Sequence, residues 1–215
     1  MLLEINPDNP QPRLIKQVVE ALRQGAVICY PTDTVYGIGC DIFNQKAVKR
    51  VYQIKRRALG KPFSFICADL KDLSTYAHVS NTGYRVMRKC LPGPYTFVLS
   101  ATKLVPKIMM TKQKTVGIRI PLHRICQDLV QGLGNPILTT SATPDDPDSP
   151  QLIHAYQVED IYGKQVDIII DSGPLAHSTP STVVAMEDDE LKILRPGKGS
   201  LEDLGVVTIQ QHPIL

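Results

Sequence analysis

Short apolar runs alternate with amphipathic stretches along almost the whole chain, and this alternation limits the fold more than any other feature. Ala26–Tyr30, Phe63–Cys67, Tyr95–Ala101, Thr115–Pro121, Pro136–Thr140, Val166–Ile170, Thr182–Met186 and Leu191–Arg195 have the length and apolar content of half-buried or buried strands. Helical patterns lie between several of them. Leu14, Val18, Ala21 and Leu22 recur at helical spacing and predict a helix over Gln11–Gln24, which Gly25 ends. Ala47, Val48, Val51 and Tyr52 predict a second over Gln45–Lys55, and further helical patterns cover Asn81–Cys90 and His123–Gly132. Asn135-Pro136 and the Pro/Asp-rich Thr143–Pro150 read as loops. Strands interleaved with helices predict a mixed α/β sheet covered by helices. No linker is long or polar enough to divide the 215 residues, so one domain is expected over residues 11–200, with 201–215 as a C-terminal extension.

Such a chain is long enough to bury a core without staples, and its 43% hydrophobic content supplies one. The five cysteines are scattered, with no C-x-x-C pair, and read as reduced core thiols. The histidines are equally dispersed, so no metal site is expected. The N-terminus lacks a basic leader followed by an apolar run, and no segment approaches the roughly 18 apolar residues of a membrane span. A cytoplasmic protein with no membrane partner is expected.

The net charge of +3 says little, but its distribution is uneven. Leu73–Gln127 contains no Asp or Glu and nine Lys or Arg, whereas Asp145–Glu190 has Lys164 alone. This predicts either a positive face for an anionic ligand or solvated faces that happen to segregate.

Four groups of residues are candidates for chemistry. Pro31–Gly39 (PTDTVYGIG) follows a buried strand; its Thr32 and Thr34 offer hydroxyls, and Gly37 and Gly39 permit close backbone approach to a ligand. An ordinary turn satisfying its own backbone is the alternative. Lys55, Arg56, Arg57 and Lys61 crowd the exit of a helix, where the helix dipole alone favours cations. Arg forks with a Lys point charge also suit a polyphosphate, although the G-x-x-x-x-G-K-[ST] loop is missing. Arg119 interrupts the apolar run Thr115–Pro121 and, by alternation, faces away from Ile118 and Ile120. It is either a solvent-facing residue or a carboxylate clamp. Thr139–Thr143, Ser178–Thr182 and Leu194–Gly197 put hydroxyls or a cation at strand ends, where turns are common too.

Taken in order, PTDTVYGIG, the K-x-R…K-P run Lys55–Pro62, LPGPYT, TVGIRIP, Thr140–Ala142, STVV and LRPG resemble the YrdC/YciO family, whose best-known members are threonylcarbamoyl-adenylate synthases. The set spans Ala26 to Gly197. The resemblance implies a single-domain twisted open sheet flanked by helices, with a basic concave cavity. It implies condensation of L-threonine, bicarbonate and ATP to threonylcarbamoyl-AMP and pyrophosphate, with Mg2+ arriving on ATP. A downstream tRNA threonylcarbamoyl transferase would use the product. By matching position, Lys55 and Arg57 would be the catalytic cations. Thr34, Arg119, Ser141 and Ser181 would bind threonine. Arg57, Lys61, Thr115, Thr143 and Arg195 would bind ATP. Replacing Arg119 or Lys61 by Ala is expected to cut activity and leave folding intact. The family's S-x-N ends here in Thr143, and a family histidine falls on Ile66, both of which lean toward the YciO branch. The alternative is a non-catalytic protein whose cations hold tRNA or double-stranded RNA.

Overall fold

A computed structural model describes residues 1–58, 62–144, 151–176, 178–187 and 189–205. Among the described residues ten strands form one sheet. In chain order they are β1 (Leu2–Glu4), β2 (Ile28–Tyr30), β3 (Gly37–Asp41), β4 (Ser64–Ile66), β5 (Tyr95–Ser100), β6 (Thr115–Arg119), β7 (Ile137–Ser141), β8 (Ile168–Asp171), β9 (Thr182–Glu187) and β10 (Glu190–Arg195). Their spatial order is β1-β8-β2-β3-β7-β4-β6-β5-β9-β10, with parallel and antiparallel pairs mixed. Six α-helices accompany them among the described residues: α1 (Pro12–Arg23), α2 (Gln45–Ile54), α3 (Leu70–Tyr76), α4 (Asn81–Cys90), α5 (Arg124–Leu133) and α6 (Ala155–Tyr162). The expected mixed α/β architecture is therefore present. The sheet also takes in Leu2–Glu4, which pair with β8 ahead of residue 11.

Local chemistry sets the helix ends. Pro12 opens α1, where its missing N–H costs no hydrogen bond. Side chains of Asn44, Asp69 and Ser80 accept from backbone N–H groups and cap α2, α3 and α4. Gly134, at φ +82°, ends α5 in the left-handed conformation.

Strand alternation divides the core in two. One face of the sheet carries Ile38, Phe65, Phe97, Val116, Ile118, Leu138 and Val184, buried against side chains of α2, α3, α4 and α6. On the opposite face Ile28, Tyr30, Ile66, Ile137, Ile168 and Ile170 pack under α1 and α5. Those two helices cover only part of that face. Over the remainder residues of β4, β5, β6, β7 and β9 line a cavity instead. All five cysteines are free and buried. Burial pushes the thiols of Cys29, Cys40, Cys67 and Cys126 well up, and that of Cys90 to about 11, so they are protonated packing groups. Among the described residues no helix is long and apolar enough to cross a membrane.

Candidate active site

The cavity holds about 550 Å³. Its floor is a register row: Thr139 of β7 pairs with Ser64 of β4, Ser64 with Gly117 of β6, and Gly117 with Val98 of β5. Gly117 keeps the floor low. A Cβ there would stand 2.4 Å from Ser64 Oγ and 3.4 Å from Thr96 Cγ2.

Four cationic side chains line the cavity, Lys55, Arg57, Arg119 and Arg195, and no Asp or Glu is among its described lining residues. Lys55 caps the C-terminus of α2 and is buried, its Nζ donating to Thr143 O at 2.8 Å. Arg56 takes φ +50°, which turns the chain out of the helix. Arg57 then lies over the Phe63 ring, 5.4 Å from its centroid. Arg195 Nη2 donates to Ser181 O at 2.9 Å. Desolvation, and then the charge of Arg119, draw the Arg195 guanidinium down. Four cations around one concavity concentrate positive potential where an anion would sit.

Arg119 is the most constrained of the four. Its register neighbours are Ile66 and, one strand further, Ile137, both fully buried. A charge among aliphatic side chains needs a counter-charge, and the Asp33 carboxylate supplies it to Nη2. Both side chains are 9% exposed. Asp33 Oδ2, Arg119 Nε and the nearby His123 Nδ1 are buried without a hydrogen-bond partner. Burial lowers the His123 pKa from its ordinary 6.5; Asp33 opposes the shift and Arg119 adds to it. The folded protein thus holds a neutral imidazole, whereas the unfolded chain takes up a proton as pH falls below 6.5. Stability contributed above that pH is expected to be lost on acidification. Urea midpoints compared between about pH 7 and pH 5 should fall more steeply for the natural protein than for His123→Gln. Equal slopes would dismiss this assignment.

The other predicted site residues distribute as follows. Ser141, Ser181, Thr115 and Thr143 line the same cavity as the four cations. Ser141 Oγ accepts from Thr143 N at 3.0 Å, Ser181 Oγ pairs with Thr96 Oγ1 at 2.8 Å, and Thr115 Oγ1 with Thr111 Oγ1 at 2.9 Å. Thr34 is different. It is 1% exposed, bonds to Thr32 Oγ1 at 3.1 Å, and lies outside the lining, where Thr32 takes its place. Lys61 lies outside the described residues, as does most of the Thr143–Pro150 loop. Ile66 is buried under α1 and α5 rather than on the cavity wall. Gly39 faces Leu138 O and the Tyr30 ring instead of a ligand. Asp33 and Lys198 were not picked out from the sequence. Asp33 sits inside the PTDT motif but lies 86 residues from Arg119, so nothing local points to their pairing, and Lys198 carries no local signal either.

The lining residues present offer hydroxyls and carbonyls but no carboxylate, so they do not build a protein-held magnesium site. No cluster of three or more His, Cys, Asp or Glu exists among the described residues.

A family model described as Telomere recombination, Sua5/YciO/YrdC, matches residues 20–197. The chain belongs to the Sua5/YciO/YrdC family. Within it, YciO of Escherichia coli K12 is 41% identical over 206 residues, covering 92% of this chain and 96% of YciO. The crystal structure of E. coli YciO superposes with a TM-score of 0.87 at 39% identity, covering 95% and 98% of the two chains. A protein of Methanocaldococcus jannaschii named putative threonylcarbamoyl-AMP synthase is 36% identical over 85% of this chain and 86% of its own. Pyrococcus abyssi Sua5, crystallised with L-threonine, gives a TM-score of 0.90 at 27% identity, covering 99% of this chain and 63% of Sua5. The Sua5/YciO/YrdC fold and the YciO-like sequence agree with the resemblance read from the motifs.

Proposed function

We propose that this protein is a cytoplasmic L-threonylcarbamoyladenylate synthase, joining L-threonine, bicarbonate and ATP. The observation that carries the reading is the cavity itself: four cations and a ring of hydroxyls, with no described carboxylate on its wall. The named synthases among the relatives and the L-threonine bound by P. abyssi Sua5 support it.

The reaction suits such a site. Threonine's amine and bicarbonate give a carbamate and water. The carbamate oxygen then attacks the α-phosphate, and pyrophosphate leaves. Carbamate and ATP are both anions, so their repulsion is the main barrier to overcome. Fixed cations reduce it and hold the reactants together. Arg119 would take the threonine carboxylate, with Ser141 and Ser181 beside it. Lys55 and Arg57 would hold the reacting phosphates, and Arg195, Thr115 and Thr143 the rest of the nucleotide. Lys61 would join them. Magnesium would enter on ATP. A downstream transferase would carry the threonylcarbamoyl group to tRNA.

Pyrophosphate release by the purified protein is expected to require L-threonine and bicarbonate together, with threonylcarbamoyl-AMP detected by mass spectrometry. A second reading, RNA binding without catalysis, rests on the exposed row Tyr84, Arg85, Arg88 and Lys89 of α4. Folded protein that binds tRNA in a salt-dependent way and releases no pyrophosphate would favour it and exclude the synthase.

A further inference from the structure

Lys198 follows the LRPG motif at the end of β10, and its backbone is fixed from several sides. Gly197 N donates to Thr182 Oγ1 at 3.0 Å, Thr182 Oγ1 donates to Gly199 O at 2.7 Å, and Lys198 N donates to Pro180 O at 2.8 Å. Tyr95 OH donates to Ser200 O at 3.0 Å. From this fixed base the Lys198 ammonium donates to the backbone carbonyl of Asp33 at 2.5 Å. Asp33 belongs to the β2–β3 connection, and four strands (β7, β4, β6 and β5) separate β3 from β9 in the sheet.

At about 4.8 Å per strand, a flat sheet would hold these segments tens of ångströms apart. A four-carbon lysine stem spans little of that distance. The contact brings the β2–β3 connection and the segment after β10 together, next to Thr32 on one side of the cavity lining and Ser181 and Arg195 on the other. The Asp33 carboxylate meanwhile holds Arg119 Nη2. The cation at the far rim therefore fixes the backbone of the residue that orients the cation in the cavity.

We propose that Lys198 and Asp33 form a tie across the cavity that positions Arg119, making both of them positioning residues for the carboxylate of the amino-acid substrate. The second half of this proposal rests on the threonine reading above. The tie itself does not. With the tie in place Asp33 stays against Nη2, and the guanidinium presents one fixed edge to the cavity. Without it the β2–β3 connection is free to move away, and Arg119 becomes reachable and loses its alignment.

The test uses the full chain and its Lys198→Met and Lys198→Arg variants. Phenylglyoxal labelling of Arg119, followed by peptide mass spectrometry, reads the tie without substrate. Calorimetric titration with L-threonine reads positioning. Loss of a charge-assisted hydrogen bond predicts Arg119 labelling about tenfold faster in Lys198→Met, and threonine binding weakened about tenfold. Lys198→Arg, which keeps a cationic donor, should recover most of both. Unchanged labelling in Lys198→Met overturns the tie, whatever the cavity binds. Faster labelling with unaltered threonine affinity overturns the positioning role. Faster labelling in a protein that never binds threonine supports the tie and removes the threonine reading.

Discussion

Arg119→Ala is expected to abolish threonine-dependent pyrophosphate release and also to weaken the fold. The catalytic loss follows from removing the group that would hold the substrate carboxylate, and should reach roughly a hundredfold or more in kcat/KM. The loss of stability has a separate cause. Arg119 and Asp33 are buried together beside Ile66 and Ile137, so truncating the arginine leaves a carboxylate without its counter-charge. Breaking such a pair costs about 3–5 kcal/mol. From the sequence alone this substitution was expected to leave folding intact, and the buried pair changes that expectation. Urea unfolding separates the two effects. The double variant Asp33→Asn/Arg119→Met removes both charges and should regain much of the stability while staying inactive. An Arg119→Ala protein that unfolds at the natural midpoint would show that the pair carries no such energy.

Gly39→Ala should be the most damaging single-methyl insertion in the sheet. The added Cβ would lie 2.3 Å from Leu138 O and 2.9 Å from both Ile137 Cγ2 and Tyr30 Cε1. The first of these is the backbone of β7, held against β3 by the pairing of Gly39 with Thr139 and Cys40 with Leu138. It cannot retreat without opening that ladder. Overpacking of a rigid site costs about 1–3 kcal/mol, and Gly39→Ala is expected at the upper end of that range. Gly117→Ala is the comparison. Its nearest obstacle is the Ser64 hydroxyl, which can rotate, so its cost should be smaller and should shrink further with Ser64→Ala. Thermal unfolding of the three variants checks the order. Gly39→Ala as stable as Gly117→Ala would contradict it.

These two positions also show what the sequence can and cannot convey. Period-two alternation in Thr115–Arg119 was enough to put Arg119 opposite Ile118, and the structure agrees. Long periodic elements such as α1 and α5 were legible because each buries a row of four or five apolar side chains. Three short elements carry too little pattern to be read: β1 has three residues, α3 buries only Leu73 and Tyr76, and α6 buries only Ala155, Val158 and Tyr162. The strand β3 was hidden by its glycines. Gly37 does line the cavity, but in isolation Gly39 suggests the same room for a ligand, because no local pattern reveals that Leu138 O and Tyr30 occupy that space. The Asp33–Arg119 and Lys198–Asp33 contacts join residues 86 and 165 positions apart, and pairings of that range leave no trace in one sequence.

The two-sided use of β5 and β6 has a further consequence. Thr96 and Val98 face the cavity while Phe97 and Leu99 face the core, and on β6 Gly117 and Arg119 line the cavity while Ile118 packs in the core. Odd and even positions thus answer to separate selection, one set for what is bound and the other for remaining folded. A lineage can drift in specificity by exchanging every second residue without reopening the packing problem. Arg119 is the exception, since its salt bridge to Asp33 serves both demands at once. Variation should therefore be most restricted at Arg119, whereas Val98, which lines the cavity without a polar partner, is the natural position to randomise first when seeking a new substrate.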